Sequence, residues 1–121
     1  MYNITKQFDF CYGHRVHNQT LNPEYSLDDK LVCRHLHGHQ GQITVVLESD
    51  ELENDMVTDF KHLNFFKKWI DDTLDHKLIL DINDPVVSEL FPLVNQNIGI
   101  RHFKEVMNEM QMINFTSNFI A

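Results

Sequence analysis

The segment CRHLHGH, Cys33 to His39, carries one thiol and three imidazoles within seven residues. Side chains of these types are the ordinary protein ligands of a zinc ion. His37 and His39 stand two apart at the head of HGHQGQITVVLE, where Ile43, Val45 and Leu47 alternate with more polar neighbours. Alternation is the strand signature, so both imidazoles share one face and can reach one ion at about 2.0–2.1 Å. A third ligand must come from elsewhere. His14 is the candidate, because it follows a first alternating run, YNITKQFDF, and hairpin-like pairing of the two strands would bring it alongside. Three neutral imidazoles with one open position are the pattern of a catalytic zinc. A structural clasp that uses Cys33 is the competing metal reading, against which the sequence has no Cys-x-x-Cys pair. His35 shares the face of Cys33 and His37 in an extended chain and can compete as a ligand. His17, His62 and His102 read as ordinary surface or core histidines. Cys33 reads two ways: a small buried apolar side chain, or a thiol that ionises beside metal and imidazoles and serves as a base. Cys11, among aromatic neighbours, reads as core.

The elements that must position these groups follow from periodicity. Ile4, Phe8 and Phe10 alternate in a strand over residues 2–10, and the second strand runs from His37 to Glu48, with Gly38 and Gly41 permitting a bulge or a close backbone approach. Between them NQTLNPEYSLDDKL, residues 18–31, is a loop by composition. SDELEND makes a turn, and MVTDF is expected as a short strand before a helix. Thr58 or Asp59 caps that helix, and Leu63, Phe66, Ile70 and Leu74 recur at helical spacing. It is expected to end near LDHKLILD, where NDP begins a turn. A second helix is expected over Ile100 to Met110, followed by the apolar tail INFTSNFIA. This order suggests an α+β domain with helices on one face of an antiparallel sheet.

A chain of 121 residues suits one domain, spanning 1–121, with 42% hydrophobic and 23% charged residues. A net charge of −8 argues against a broad nucleic-acid footprint, although a local cluster can still take a small phosphorylated ligand. The start MYNITKQFDF has no secretory pattern, and no apolar run approaches the roughly 18 residues that a membrane span needs. Cys11 and Cys33 are therefore expected as free thiols in a cytoplasmic protein.

FDFCYGH, then Cys-x3-His-Gly-His in CRHLHGH, then VTDF and LDHKLILDIND, together resemble the 6-pyruvoyl-tetrahydropterin synthase superfamily over residues 4–84. The short gap between Cys33 and His37 resembles its 6-carboxy-5,6,7,8-tetrahydropterin synthase branch, which belongs to queuosine biosynthesis. The resemblance implies that His14, His37 and His39 hold zinc, that Cys33 is the thiol acting as general base, and that Asp75 and His76 work with it. Taken alone, Asp75-His76 reads as a polar pair at a helix end, or as a carboxylate fixing an imidazole tautomer. The implied substrate is 7,8-dihydroneopterin triphosphate, converted to 6-carboxytetrahydropterin with loss of acetaldehyde and triphosphate. The implied fold is the tunnelling fold, whose sheets join as trimeric barrels that stack into a hexamer with active sites between subunits. The final third departs from the family pattern. Only Thr116, Ser117 and Asn118 echo its Thr-Ser-Glu-Asn-like motif, and no later glutamate is available to anchor the pterin, so the C-terminal part is expected to be atypical or truncated. The pyruvoyl-synthase activity on the same substrate, and a catalytically impaired zinc-binding homologue, are the alternatives.

Overall fold

The computed structural model describes residues 1–94 and 98–113. The expected tail motif at Thr116–Asn118 lies outside them. Strand β1, Tyr2–His14, and strand β2, His37–Ser49, form an antiparallel ladder. Its register runs without a bulge from Tyr2 opposite Ser49 to His14 opposite His37. The even positions of β1 therefore share a face with the odd positions of β2. That face carries Phe8, Phe10, Ile43, Val45 and Leu47, and it is the one the helices cover. The other face carries Thr5, Gln7, Gln42 and Thr44, as a solvated side should. Gly41 stands opposite Phe10, where a Cβ would fall 2.3 Å from the ring. The glycine is therefore needed for close approach of the ring rather than for a bulge.

The expected helix begins as a 3-10 turn, Phe60–Leu63, whose N-cap Asp59 accepts a hydrogen bond from the Lys61 N–H at 2.9 Å. It continues as α1, Asn64–Thr73, with Lys67 paired to Asp71 at 2.8 Å on the outer side. Leu63, Phe66, Ile70 and Leu74 are all buried and pack with Phe8, Val45 and Val106 into one core. Phe66 meets Phe8 edge-on at 5.4 Å and stacks on Trp69 at 5.7 Å.

Beyond α1 the structure corrects several expectations. The helix ends at LDHKLILD as expected, with Leu74 as its C-cap, but KLIL within that stretch forms strand β3, Lys77–Leu80, and Ile100–His102 is strand β4 rather than the first turn of a helix. Both add in parallel, β3 to β1 and β4 to β3, so the sheet order is β2-β1-β3-β4 and the α+β domain has a mixed sheet in place of a purely antiparallel one. In each case ladder pairing with an existing strand overrides local preference, which decides little over three or four residues. Helix α2, Pro85–Leu90, starts where only a turn was expected. Its Asp84 cap and Pro85 at the first position are an ordinary helix start. Helix α3 follows as Phe103–Met112. MVTDF forms no strand among the described residues. Met56 pairs instead with Glu53 across a tight turn in which Asn54 and Asp55 take positive φ of 52° and 63°. Among the described residues no helix is long and apolar enough to cross a membrane.

Candidate metal centre

The β1–β2 register puts His14 directly opposite His37, with Tyr12 opposite His39, all on the helix-covered face. The imidazole ring centres lie 4.5 Å apart for His14–His37, 4.6 Å for His14–His39 and 4.8 Å for His37–His39. One ring nitrogen from each falls within 4.8 Å of the other two. The Nε2 atoms of His14 and His39 stand 2.8 Å apart. Two neutral imidazoles can hold that distance only if one of them donates, or if a cation lies between their lone pairs. His37 Nδ1 donates to the His35 carbonyl at 2.7 Å, which fixes its tautomer and leaves Nε2 as an acceptor. Tyr12 stacks on His39 at 5.4 Å and holds that ring in place. Partial burial lowers the pKa of His14, and positive charge on His37 and His39 lowers it further, so its neutral, ligating form is favoured. Nitrogen-only donors, neutral rings and a fixed tautomer fit a divalent ion of the zinc type.

His35 supplies a carbonyl rather than a ring to this cluster. Cys33 is half-buried in a 3-10 turn, Val32–Arg34, and its carbonyl accepts from the Val16 N–H at 2.7 Å, which ties the thiol-bearing turn to the chain just past His14. Cys11 is exposed, against the expectation of a core residue, because it occupies an odd position of β1 and points to the uncovered face.

Asp75 and His76 sit at the junction of α1 and β3. His76 adopts a positive φ of 60° that swings the chain from helix into strand, and its N–H donates to the Cys11 carbonyl at 2.7 Å. The Cys11 N–H donates to Asp75 Oδ1 at 2.9 Å, and Asp75 Oδ2 accepts from His76 Nδ1 at 2.7 Å. The hydrogen bond from Cys11 holds the Asp75 carboxyl below its usual range, and His76 reinforces the shift. With Nδ1 bound to the carboxylate, His76 Nε2 is free to take or give a proton. His76 lines an open groove of about 830 Å³ with Cys11, Gly13, Gln40 and also His37 and His39. The groove therefore runs from the Asp75–His76 dyad to the strand ends that carry His37 and His39. Cys33 is not among the residues lining that groove.

A further cavity of about 460 Å³ opens beside His14, bordered by Arg15, His17, Asp81, His102 and Phe103. A mainly apolar groove of about 320 Å³ runs from His14 over Phe10, Ile43, Ile79 and Met107. Sequence reasoning missed the ion pair between Arg15 and Asp84, in which the guanidinium donates from Nε at 2.7 Å and also from its terminal nitrogen. The Asp-Pro start of α2 was the signal that Asp84 would be a cap. Nothing in the sequence spacing announced its second partner, 69 residues away.

Fold and site together define a small α+β domain that brings three imidazoles into metal-binding geometry at one end of a sheet. A family model described as 6-pyruvoyl tetrahydropterin synthase matches residues 3–117, and the chain belongs to that family. It is 38% identical over 95 residues to the 6-carboxy-5,6,7,8-tetrahydropterin synthase of Aquifex aeolicus, covering 74% of this chain and 59% of the relative. It is 34% identical over 92 residues to a putative enzyme of the same name from Pyrococcus abyssi, covering 74% of this chain and 55% of that one. The crystal structure of an uncharacterized protein from Wolinella succinogenes superposes with a TM-score of 0.66 at 63% identity, covering 75% of this chain and 51% of that one. The chain thus spans between half and three fifths of the length of these relatives.

Proposed function

We propose that this domain belongs to a zinc-dependent lyase that converts 7,8-dihydroneopterin triphosphate and one water to 6-carboxy-5,6,7,8-tetrahydropterin, acetaldehyde and triphosphate, a step of queuosine biosynthesis. The observation that carries this reading is the convergence of ring nitrogens from His14, His37 and His39 beside an open cavity, in a chain similar to relatives named for that synthase. His14, His37 and His39 hold the ion. When bound, zinc supplies Lewis acidity and a template for the side-chain hydroxyls of the substrate. Cys33, as thiolate, takes a proton from the pterin side chain. Asp75 holds the His76 proton on Nδ1, so Nε2 can accept a proton from substrate and return it to the leaving fragment. His76 shares its groove with His37 and His39, which supports Asp75 and His76 working with the metal centre at that end of the sheet. By family likeness the protein assembles as a homo-oligomer, a hexamer with active sites between subunits. The protein works in the cytoplasm with both cysteines reduced, on a small pterin triphosphate, without nucleic-acid or membrane partners.

Incubation of the zinc-loaded protein with 7,8-dihydroneopterin triphosphate tests the assignment. Acetaldehyde formed in step with a 6-carboxy product is the expected result. A product that keeps its three-carbon side chain would instead make the protein a 6-pyruvoyl-tetrahydropterin synthase. Zinc retained without any turnover would make it an impaired homologue.

A further inference from the structure

The last residue of β1 is a zinc-ligand candidate, and the residue after it is held by a buried carboxylate. Asp84 is 2% exposed. Its two carboxylate oxygens take the Arg15 fork, and Oδ1 also accepts the Val86 N–H at 2.9 Å as the N-cap of α2. One side chain therefore joins the end of β1 to the helix that follows β3. On the other side of the same strand end, the Val16 N–H is bonded to the Cys33 carbonyl, and the Arg34 guanidinium donates to the Gln19 carbonyl at 2.7 and 3.0 Å. His14 and the Cys33 turn are thus fixed to one short segment, residues 14–16, whose outer anchor is Asp84.

We propose that the Arg15–Asp84 pair is a positioning device that sets where the His14 ring stands relative to His37 and His39, and where the Cys33 turn stands relative to His14. The inference deepens the zinc reading and rests on it for its metal readout. Neither residue is a ligand in this scheme. A planar fork gripping both carboxylate oxygens fixes orientation as well as distance, which a lysine at the same place does not. Partners that orient a metal ligand from outside are typically worth about 10- to 100-fold in metal affinity.

The test uses Arg15→Lys, Arg15→Met and Asp84→Asn, each in a Cys11→Ser background so that Cys33 is the single thiol. Cobalt(II) affinity is measured by chelator competition together with the visible d–d spectrum, and Cys33 alkylation rates are measured on metal-free protein. Arg15→Met and Asp84→Asn are expected to bind cobalt about 10- to 100-fold more weakly, with a shifted d–d band and an altered alkylation rate. Arg15→Lys should fall between them and the parent. Lowered stability alone would leave the d–d band of the folded, loaded protein in place. Variants that fold by circular dichroism yet bind within about twofold of the parent, with its spectrum and alkylation rate, would overturn the proposal. If Asp84→Asn does not fold, the two Arg15 variants decide. A parent chain that takes up no cobalt would sink the zinc reading, while the alkylation rates would still judge the clamp.

Discussion

Replacing His39 with alanine gives the sharpest test of the metal centre, because the loss should appear in metal-bound protein and largely vanish in metal-free protein. Zinc at about one hundred times its dissociation constant stabilises the folded chain by about 2.7 kcal/mol, provided the unfolded chain does not bind it. For a domain of this size that raises the midpoint of thermal unfolding by roughly 10 °C. His39→Ala keeps two of the three rings. If its affinity falls about a hundredfold, the same zinc concentration yields only about 0.4 kcal/mol, a shift of one or two degrees. Without metal the effect should be small. The Nε2 atoms of His14 and His39 are 2.8 Å apart, and charge on His39 is one of the causes that lower the pKa of His14. The variant loses that ring–ring hydrogen bond together with that charge, so the metal-free midpoint should change little. The lowered pKa also fixes a pH dependence. Between about pH 6.5, the value of an unfolded histidine, and the lower folded value, the unfolded chain binds more protons than the folded one. Metal-free stability should therefore fall as pH drops below about 6.5, and fall less steeply in His39→Ala. Differential scanning fluorimetry with zinc and with chelator, from pH 5 to 8, reads all of this. A zinc-induced shift equal in variant and parent would show that His39 is not a ligand and refute the reasoning.

Other expectations concern the frame and the chemistry. Phe66→Ala should cost about 3–5 kcal/mol in urea unfolding, because it removes the ring that packs Phe8 and Trp69 together. Arg15 holds the Asp84 carboxyl below its usual range, so its contribution is present above about pH 4 and is lost as pH falls through the lower folded value. Asp84→Asn should flatten that acid limb of the stability profile. Cys33→Ala should retain zinc by elemental analysis and lose nearly all acetaldehyde formation. Undiminished turnover would remove the thiol from the mechanism.

The ladder and the clustering of three histidines were legible in the sequence, because a period of two is a strong signal over long strands. Ile43, Val45 and Leu47 announce which face is covered, and His37 and His39 continue the same parity to its end. α1 was legible for the matching reason, with four apolar residues at helical spacing above that face. β3 and β4 were not, since four and three residues carry too little pattern, and what makes them strands is a neighbour far along the chain. The same holds within the site. The Asp75–His76 bond is local and was readable as a pair, whereas its anchorage to Cys11 and the Arg15–Asp84 fork depend on contacts 64 and 69 residues apart.

The unbroken register between β1 and β2 ties proofreading of the fold to assembly of the metal grip. A slip of one residue would turn Ile43, Val45 and Leu47 outward and bury Gln42 and Thr44, while sending the paired imidazoles to the wrong side of the sheet from His14. A single residue inserted or deleted between His39 and Ile43 would instead break their shared parity, so that core and imidazoles could not both face the helices. A slipped ladder therefore loses core and imidazole cluster together, so the meeting of the three rings doubles as a certificate of correct strand alignment.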